Sequence, residues 1–214
     1  NKNQIVVGNG AAELLYAICR LPGYTGAFVP APGFSEYKAA LEASRIPVRD
    51  IYYRPREDEH GKPYFEVPYL ALETFAAELK GQDGRIIVFL GNPNNPDGTL
   101  LDKNHIRTIA SMLKDANSLL VIDESFIDFV GNDTLQDNEY SMRSLVNEFD
   151  NIIVVHSFTK FYAVPGLRIG AAFSNPLIIE QLNSFIPTWS VNTLAQSYTE
   201  ARSEEHTSEL QSRL

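Results

Sequence analysis

The chain of 214 residues contains a single cysteine and only four histidines. One cysteine cannot form a disulfide bond within the chain, and the histidines (His60, His105, His156 and His206) are not spaced as metal ligands are. These shortages argue against a disulfide framework and against a structural zinc site. Cys19 lies among apolar residues of a predicted helix, so we expect it to be a small, buried hydrophobic residue.

Long apolar runs and basic clusters are also missing. No stretch approaches the roughly 20 apolar residues that a membrane-spanning helix needs, and no signal peptide precedes the first strand. Asp and Glu outnumber Lys and Arg by 27 to 18, which gives a formal net charge of −9. Nucleic-acid-binding proteins usually have a basic excess, so we expect neither a nucleic acid nor a membrane as partner. The composition is typical of a soluble globular domain, and we expect a cytoplasmic location.

The two ends of the sequence differ from the rest. The chain begins at Asn1 rather than at methionine and runs directly into a predicted strand, as part of a longer protein would. Residues 202–214 are poor in apolar side chains and resemble the translation of a sequencing adapter, so we expect a non-native tail there. The alternative is an ordinary polar tail. We therefore predict one domain over residues 1–201, truncated at both ends.

Short β-branched runs alternate with amphipathic stretches over this domain. The pattern predicts strands at 5–7, 27–29, 85–90, 118–122, 152–156 and 167–173, and helices at 11–21, 35–44, 70–79, 102–116, 141–149 and from 176 onward. The strand at 27–29 is expected to stop at Pro30, and residues 54–68 are expected to be a surface loop. Alternating strands and helices predict an α/β fold with three layers, αβα, around a mostly parallel sheet.

Glycine and polar residues cluster where these strands end. The clusters are Gly8-Asn9-Gly10, the segment 92–98, Asp123 and the segment 157–160. In parallel sheets, ligands bind beyond the carboxyl ends of the strands. We therefore expect a ligand site at this edge of the sheet.

Each cluster has more than one interpretation when taken alone. The glycine turn could present backbone N–H groups to a phosphate, or it could be an ordinary strand-to-helix turn. Asp123 could pair with a cofactor's protonated ring nitrogen, hold magnesium in a nucleotide hydrolase, or cap a loop. The hydrolase alternative lacks support, because the sequence contains no G-x-x-x-x-G-K-[ST] phosphate loop. Lys160 could be a desolvated nucleophilic amine or a solvated loop lysine. Arg168 could add a guanidinium to a phosphate site.

Taken together, the segments 92–98, 123–126 and 157–162 resemble the fold type I pyridoxal-phosphate enzymes in order and in spacing. The segment 166–170 follows at the matching distance, and the resemblance covers essentially residues 1–201. Within that superfamily, the chain is similar to the histidinol-phosphate aminotransferase group. It most resembles the L-threonine-O-3-phosphate decarboxylases of cobalamin biosynthesis, in the segments 32–37, 123–129, 159–170 and 187–192.

The resemblance implies roles for individual residues. Lys160 would form a Schiff base with pyridoxal 5′-phosphate, and Asp123 would keep the cofactor's ring nitrogen protonated, which makes both residues catalytic. The remaining cofactor contacts would be Phe34 on the ring face, Asn95 on the phenolic oxygen, and Gly10, Ala11, Ser157, Thr159 and Arg168 on the phosphate. Asn95 and Asn192 would contact the substrate, and Trp189 would lie beside Asn192. The alternative for Asn192 and Trp189 is packing and turn formation.

The resemblance also implies a reaction. Aminotransferase relatives usually have a tyrosine at the position of Phe126, where its hydroxyl would donate to the cofactor's phenolic oxygen. Phe126 cannot donate, which favours decarboxylation of L-threonine O-3-phosphate to aminopropanol phosphate and CO2. The alternatives are a histidinol-phosphate aminotransferase, another class I or II aminotransferase, or a fragment without activity. A full-length protein of this kind is expected to be a homodimer.

Overall fold

The computed structural model describes residues 2–79, 84–130 and 138–201. Its strands are β1 (Ile5–Gly8), β2 (Tyr24–Ala31), β3 (Val48–Tyr52), β4 (Arg54–Glu57), β5 (Pro63–Glu66), β6 (Arg85–Gly91), β7 (Leu119–Asp123), β8 (Ile152–Ser157) and β9 (Gly170–Phe173). Its α-helices are α1 (Gly10–Ile18), α2 (Ser35–Ala43), α3 (Tyr69–Glu78), α4 (Lys103–Asp115), α5 (Phe158–Phe161) and α6 (Pro176–Phe185).

Seven strands form the central sheet in the order β1-β9-β8-β7-β6-β2-β3. The neighbours from β8 to β3 all pair in parallel, whereas β9 runs antiparallel to both β1 and β8. The sheet is therefore mostly parallel, as the alternation of strands and helices predicts. Because β6, β7 and β8 run in the same direction, Gly91, Asp123 and Ser157 at their carboxyl ends lie along one edge of the sheet.

Helices cover both faces of the sheet and bury two separate apolar clusters. Helices α1, α2 and α6 pack on one face, and α3 and α4 pack on the other. Strand β6 shows the division, because Ile87 and Phe89 point into the first cluster whereas Val88 and Leu90 point into the second. Alternate residues of a strand face opposite sides of a sheet, so a strand that is covered on both sides needs a continuous apolar run. The predicted three-layer αβα architecture is confirmed.

Two sequence expectations about single residues have different outcomes. Cys19 is 2% exposed in the first cluster, as expected, and burial raises the pKa of its thiol to about 12. Pro30 does not end its strand, because β2 continues to Ala31. At Pro30 the recorded pairing of β2 is with β3 alone, since the register with β6 ends at Phe28, so the missing N–H interrupts no ladder on that side.

The expectation of a loop over residues 54–68 is wrong, because β4 and β5 pair there as an antiparallel hairpin. The Asp58 carboxylate accepts hydrogen bonds from the backbone N–H groups of His60 and Lys62 in the turn, each at 2.9 Å. Nearly every residue of the hairpin is exposed on both faces, so the segment has no alternation of apolar and polar side chains. Without that alternation, a strand pattern cannot be recognised in the sequence.

Two further predicted elements are shorter in the structure. The helix expected over residues 141–149 is a 3-10 turn at Arg143–Asn147. The strand expected from Leu167 begins only at Gly170, because Pro165–Leu167 forms a 3-10 turn and Arg168 adopts a left-handed conformation with φ of 54°. Over the residues that the structure describes, no helix combines the length and the apolar character needed to cross a membrane. The predicted non-native tail, residues 202–214, lies outside the described residues.

Candidate active site

A pocket lies at the carboxyl edge of the central sheet, between the beginning of α1 and the beginning of α5. Its lining residues are Ala11, Ala12, Phe34, Tyr37, Pro93, Asn95, Asp123, Ser125, Phe126, Ser157, Thr159, Lys160 and Arg168. Of the ten site residues named from the sequence, all except Gly10 and Asn192 line this pocket. The structure therefore brings together residues from six separate parts of the chain.

Asp123 is the buried anion of the pocket. It ends β7 and is 6% exposed. Its Oδ1 atom accepts hydrogen bonds from the backbone N–H of Ser125 at 2.9 Å and from the hydroxyl of Ser125 at 2.6 Å, and its Oδ2 atom accepts from the hydroxyl of Tyr37 at 2.9 Å. Three donors thus engage the two oxygens of this carboxylate. Because Asp123 also lines the pocket, it can offer a negative charge to a cationic group bound there.

Lys160 is the only lysine among the described residues that lines the pocket. It follows β8 within the short helix α5, and its Nζ atom lies 5.6 Å from the centre of the Phe126 ring. Within residues 2–79, 84–130 and 138–201, no hydrogen bond or ion pair engages this amine. The side chain is exposed, which matches the alternative of a solvated lysine and not that of a desolvated amine. An amine that is accessible and uncommitted is suited to bond with an incoming carbonyl group.

The other end of the pocket has the donors that a phosphate needs. Gly10 and Ala11 begin α1, and a helix N-terminus directs unpaired backbone N–H groups toward anions. The hydroxyls of Ser157 and Thr159 lie 2.7 Å apart, and both residues are buried at the start of α5. Arg168 also lines this end and brings a positive charge. Backbone amides, hydroxyls and a guanidinium together form a phosphate-binding set.

Close backbone packing makes the glycine turn possible. Gly10 has a φ of +81°, and a β carbon there would lie 2.5 Å from Nη2 of Arg168. On β9, a β carbon at Gly170 would lie 2.6 Å from the backbone nitrogen of Ala11. Only glycine allows both approaches, so Gly10 belongs to the site although its own atoms do not line the pocket.

Aromatic rings form the walls of the pocket. Phe34 precedes α2 and packs edge to face against Tyr37, with ring centroids 5.6 Å apart. Phe126 lies on the side of Lys160 and presents a ring without a hydroxyl. Asn95, from the loop after β6, adds an amide to the lining. The pocket thus combines flat apolar surfaces with a few polar groups, which is typical of cofactor sites.

Asn192 does not reach this pocket in the structure. Its side-chain amide donates to the backbone carbonyl of Leu167 at 2.8 Å and its carbonyl accepts from the backbone N–H of Ala195 at 2.9 Å. Trp189 is 92% exposed and has a φ of 61°. These contacts match the alternative of packing and turn formation for Asn192, which supports the turn that carries Arg168.

Sequence reasoning missed two residues that hold Asp123 in place. Ser125 lies two positions after Asp123, and that spacing is typical of a side chain that closes an Asx turn. Tyr37 is 86 residues away in sequence, and its only local signal is its position three residues after Phe34, on the same face of α2.

A buried group of ionisable residues, also missed, lies behind the pocket. Glu124 is fully buried and accepts hydrogen bonds from the Ser141 hydroxyl at 2.7 Å and from the Met142 N–H at 2.5 Å. Burial raises the pKa of Glu124, and these donors partly offset the increase. Nε2 of His156 lies 3.0 Å from a carboxylate oxygen of Asp128, and both side chains are nearly inaccessible. These contacts fix the strand ends that carry Asp123 and Ser157.

The family comparisons agree with this geometry. The family model described as aminotransferase class I and II matches residues 1–212. The chain belongs to the aminotransferase class I and II family. It is 36% identical over 204 residues to the adenosylcobalamin biosynthesis bifunctional protein CobDQ of Leptospira interrogans, covering 94% of this chain and 21% of that protein. It is 32% identical over 197 residues to the histidinol-phosphate aminotransferase of Thermoanaerobacter pseudethanolicus, covering 90% of this chain and 49% of that enzyme.

Solved structures share the fold. The L-threonine-O-3-phosphate decarboxylase of Porphyromonas gingivalis superposes with a TM-score of 0.67 at 26% identity, over 91% of this chain and 51% of that one. The PLP-bound C-S lyase of Staphylococcus hominis superposes with a TM-score of 0.74 at 19% identity, over 99% of this chain and 52% of that one, and shows the fold alone. The chain thus spans about half the length of these neighbours. Family and fold indicate pyridoxal 5′-phosphate as the cofactor.

The residues of the pocket fit that cofactor. Asp123 can face a protonated ring nitrogen, Lys160 has an uncommitted amine for the aldehyde, and the groups around Arg168 can donate hydrogen bonds to the phosphate. Among the described residues, no group of three or more His, Cys, Asp or Glu side chains is arranged to hold a metal ion. The pocket therefore has a partner for each of the three polar ends of pyridoxal phosphate.

Proposed function

We propose that this chain is the cofactor-binding part of a decarboxylase that converts L-threonine O-3-phosphate to aminopropanol phosphate and CO2. The relative named for adenosylcobalamin biosynthesis and the structural neighbour named as an L-threonine-O-3-phosphate decarboxylase support this proposal. The proposal includes a large cofactor-binding domain over residues 1–201 and a homodimeric, cytoplasmic full-length protein. The chain spans about half of the neighbouring enzyme.

The residues of this chain bind and orient the reacting groups. Bound pyridoxal phosphate supplies an electron sink for the pair that remains on the substrate Cα atom after one of its bonds breaks. In this pocket Asp123 would face the protonated ring nitrogen, Lys160 would hold the cofactor at its aldehyde carbon, and Arg168 would hold its phosphate. In decarboxylation, the bond from Cα to the carboxylate breaks, CO2 leaves and a proton takes its place on Cα. The Lys160 side chain, which is exposed to the pocket, is our candidate for the donor of that proton, in its protonated form and while it is not bonded to the cofactor.

The observation that carries the choice of decarboxylation is the ring at position 126. Phe126 lines the pocket beside Lys160 at 5.6 Å and has no hydroxyl to donate. The resemblance places a tyrosine at this position in aminotransferases, where the hydroxyl would face the cofactor's phenolic oxygen. An apolar ring leaves Asn95 as the lining side chain that can donate there.

The second candidate is transamination of an amino-alcohol phosphate such as histidinol phosphate with 2-oxoglutarate. The 32% identity to a histidinol-phosphate aminotransferase favours it. Both reactions use the same cofactor contacts and differ in which bond at the substrate Cα breaks. The orientation of the substrate determines that choice.

The test is a product assay on the full-length protein encoded by the gene. Purified enzyme loaded with pyridoxal phosphate is given threonine phosphate alone, or histidinol phosphate with 2-oxoglutarate. We expect CO2 and aminopropanol phosphate in equal amounts from threonine phosphate. Glutamate formation without CO2 release would contradict decarboxylation and support the aminotransferase. A Phe126→Tyr variant tests the role of the apolar ring at this position. If the apolar ring favours decarboxylation, the variant should have a lower rate of decarboxylation than the parent protein.

A further inference from the structure

Tyr37 contacts the buried anion of the site from a helix that carries no other polar group to it. Its side chain is 2% exposed, and its hydroxyl donates to Oδ2 of Asp123 at 2.9 Å. The two residues come from different layers, helix α2 and strand β7 of the sheet, and are 86 positions apart. A hydrogen bond from a hydroxyl to a charged carboxylate is stronger than one to a neutral acceptor.

The direction of this hydroxyl is fixed by the rings around it. The Tyr37 ring stacks on Phe89, with centroids 5.3 Å apart and planes 17° apart, and Phe89 is fully buried in β6. The Phe34 ring meets Tyr37 edge to face at 5.6 Å. Tyr37 thus packs against Phe89 in the core of the sheet and against Phe34 in the wall of the pocket. These two ring contacts restrict the direction in which the hydroxyl points.

Tyr37 stays a donor over the working pH range. Burial raises its pKa well above the ordinary value of a tyrosine, and the negative charge of Asp123 raises it further. The hydroxyl therefore keeps its proton and acts as the donor of the pair. Ser125 holds the other oxygen, Oδ1, through two hydrogen bonds, so both oxygens of Asp123 have fixed partners.

We propose that Tyr37 is a positioning residue that holds Oδ2 of Asp123 toward the ring nitrogen of the cofactor. The inference rests on the proposed role of Asp123 as partner of that nitrogen. Tyr37 acts through Asp123 and need not touch the cofactor. Without the hydroxyl, Asp123 keeps its Ser125 contacts but can rotate its second oxygen away from the pocket.

The chain offers a matched control for the removal of one buried hydroxyl. Tyr53 is 4% exposed, and its hydroxyl has no hydrogen-bond partner among the described residues. Tyr37→Phe and Tyr53→Phe both delete a buried hydroxyl and keep the ring. Only Tyr37→Phe should weaken binding of pyridoxal phosphate, by roughly tenfold, because a hydrogen bond to a charged group is lost. Only Tyr37→Phe should shift the visible absorbance of the bound cofactor.

A double-mutant cycle separates this role from simple packing. In an Asp123→Asn background, Tyr37→Phe should have almost no further effect on cofactor affinity, because the carboxylate that it positions is gone. In the full-length enzyme, Tyr37→Phe should lower kcat with little change in KM for the substrate. Equal cofactor affinity and an unchanged spectrum in Tyr37→Phe would overturn the inference, and so would additive losses in the cycle.

The outcome can be distinguished from failure of the proposed function. If the parent protein and Tyr53→Phe bind pyridoxal phosphate but Tyr37→Phe behaves identically, only the inference fails. If the parent protein does not bind the cofactor, the proposed function fails first and the inference falls with it. Should Tyr37→Phe not fold, 3-fluorotyrosine at position 37 keeps the bond and makes the hydroxyl a stronger donor. It should shift the absorbance band, whereas the same replacement at Tyr53 should not, and equal spectra would overturn the inference.

Discussion

Gly10 and Arg168 lie so close that a β carbon on Gly10 would sit 2.5 Å from a guanidinium nitrogen of Arg168. This contact joins the beginning of α1 to the turn before β9, on the side of the pocket where hydroxyls and backbone amides converge. Both residues have positive φ angles, +81° at Gly10 and 54° at Arg168. The close approach therefore depends on two left-handed backbone conformations at once.

Gly10→Ala should lose cofactor affinity beyond its loss of stability. The new methyl group would displace the Arg168 guanidinium, so binding of pyridoxal phosphate should weaken by more than about tenfold. Gly61→Ala is the matched control, because Gly61 has a φ of +74° and no atom within 4 Å of its β position. Both variants should lose roughly 1–2 kcal/mol of unfolding free energy from the left-handed backbone. Calorimetry measures the unfolding free energy, and titration with pyridoxal phosphate measures the cofactor affinity. Equal cofactor affinities in Gly10→Ala and Gly61→Ala would contradict a role of the contact between Gly10 and Arg168 in cofactor binding.

Arg168→Ala should discriminate between two forms of the cofactor. If Arg168 binds the phosphate, the variant should bind pyridoxal phosphate roughly tenfold more weakly and bind phosphate-free pyridoxal about as well as the parent protein does. Arg56→Ala controls for the change in net charge, since Arg56 pairs with Glu66 on the exposed hairpin, at 2.8 Å. Titrations with both ligands provide the measurement. A similar loss of affinity for both ligands would place Arg168 outside the phosphate contacts.

Buried Glu124 should make the stability of the fold depend on pH. Burial raises its pKa above the ordinary value of 4.5, so the folded state binds this proton more tightly than the unfolded state does. Its contribution is then most favourable at low pH and is lost as the pH rises from about 4.5 through the raised value. Glu124→Gln cannot titrate, and its amide can still accept from the Met142 N–H and donate to the Ser141 hydroxyl.

Urea unfolding of both proteins at a series of pH values measures this effect. The stability of the parent protein relative to Glu124→Gln should fall across that pH range and then level off. A difference that stays constant, or that grows in favour of the parent protein as the pH rises, would contradict the assignment. The comparison between two variants removes the titration of all other carboxyl groups from the result.

The sequence predicts the parts of the site that depend on strand ends. Asp123 and Ser157 close apolar runs that can only be buried parallel strands, so their meeting at one edge follows from topology. Tyr37 could not be assigned in this way, because its hydrogen bond to Asp123 arises from the packing of α2 across the sheet. Asn192 was assigned to the substrate by resemblance, whereas the structure places its amide on the carbonyl of Leu167.

The fold was predictable for a similar reason and to a similar extent. Strands β6 and β7 are buried on both faces, and this gives them continuous apolar sequences. The hairpin of β4 and β5 lies outside the central sheet and is exposed, so no hydrophobic pattern marks it. A proline is typical of a strand end in sequence, but β2 continues past Pro30. Its pairing with β6 ends two residues earlier, at Phe28. Only the three-dimensional register can show that a missing N–H has no effect there.

The central claim is that Lys160 carries the cofactor. The most direct measurement is peptide mass mapping of the protein after it has been loaded with pyridoxal phosphate and reduced with borohydride. The parent protein, Lys160→Ala and Lys114→Ala are compared. Lys114 is the control lysine, because it lies on α4 and pairs with Asp150 at the protein surface. We predict that the peptide containing Lys160 gains a phosphopyridoxyl group in the parent protein and in Lys114→Ala, and that Lys160→Ala shows neither this modification nor the visible band of the lysine-bound cofactor. A modification mapped to another lysine, or a band that persists in Lys160→Ala, would contradict the account.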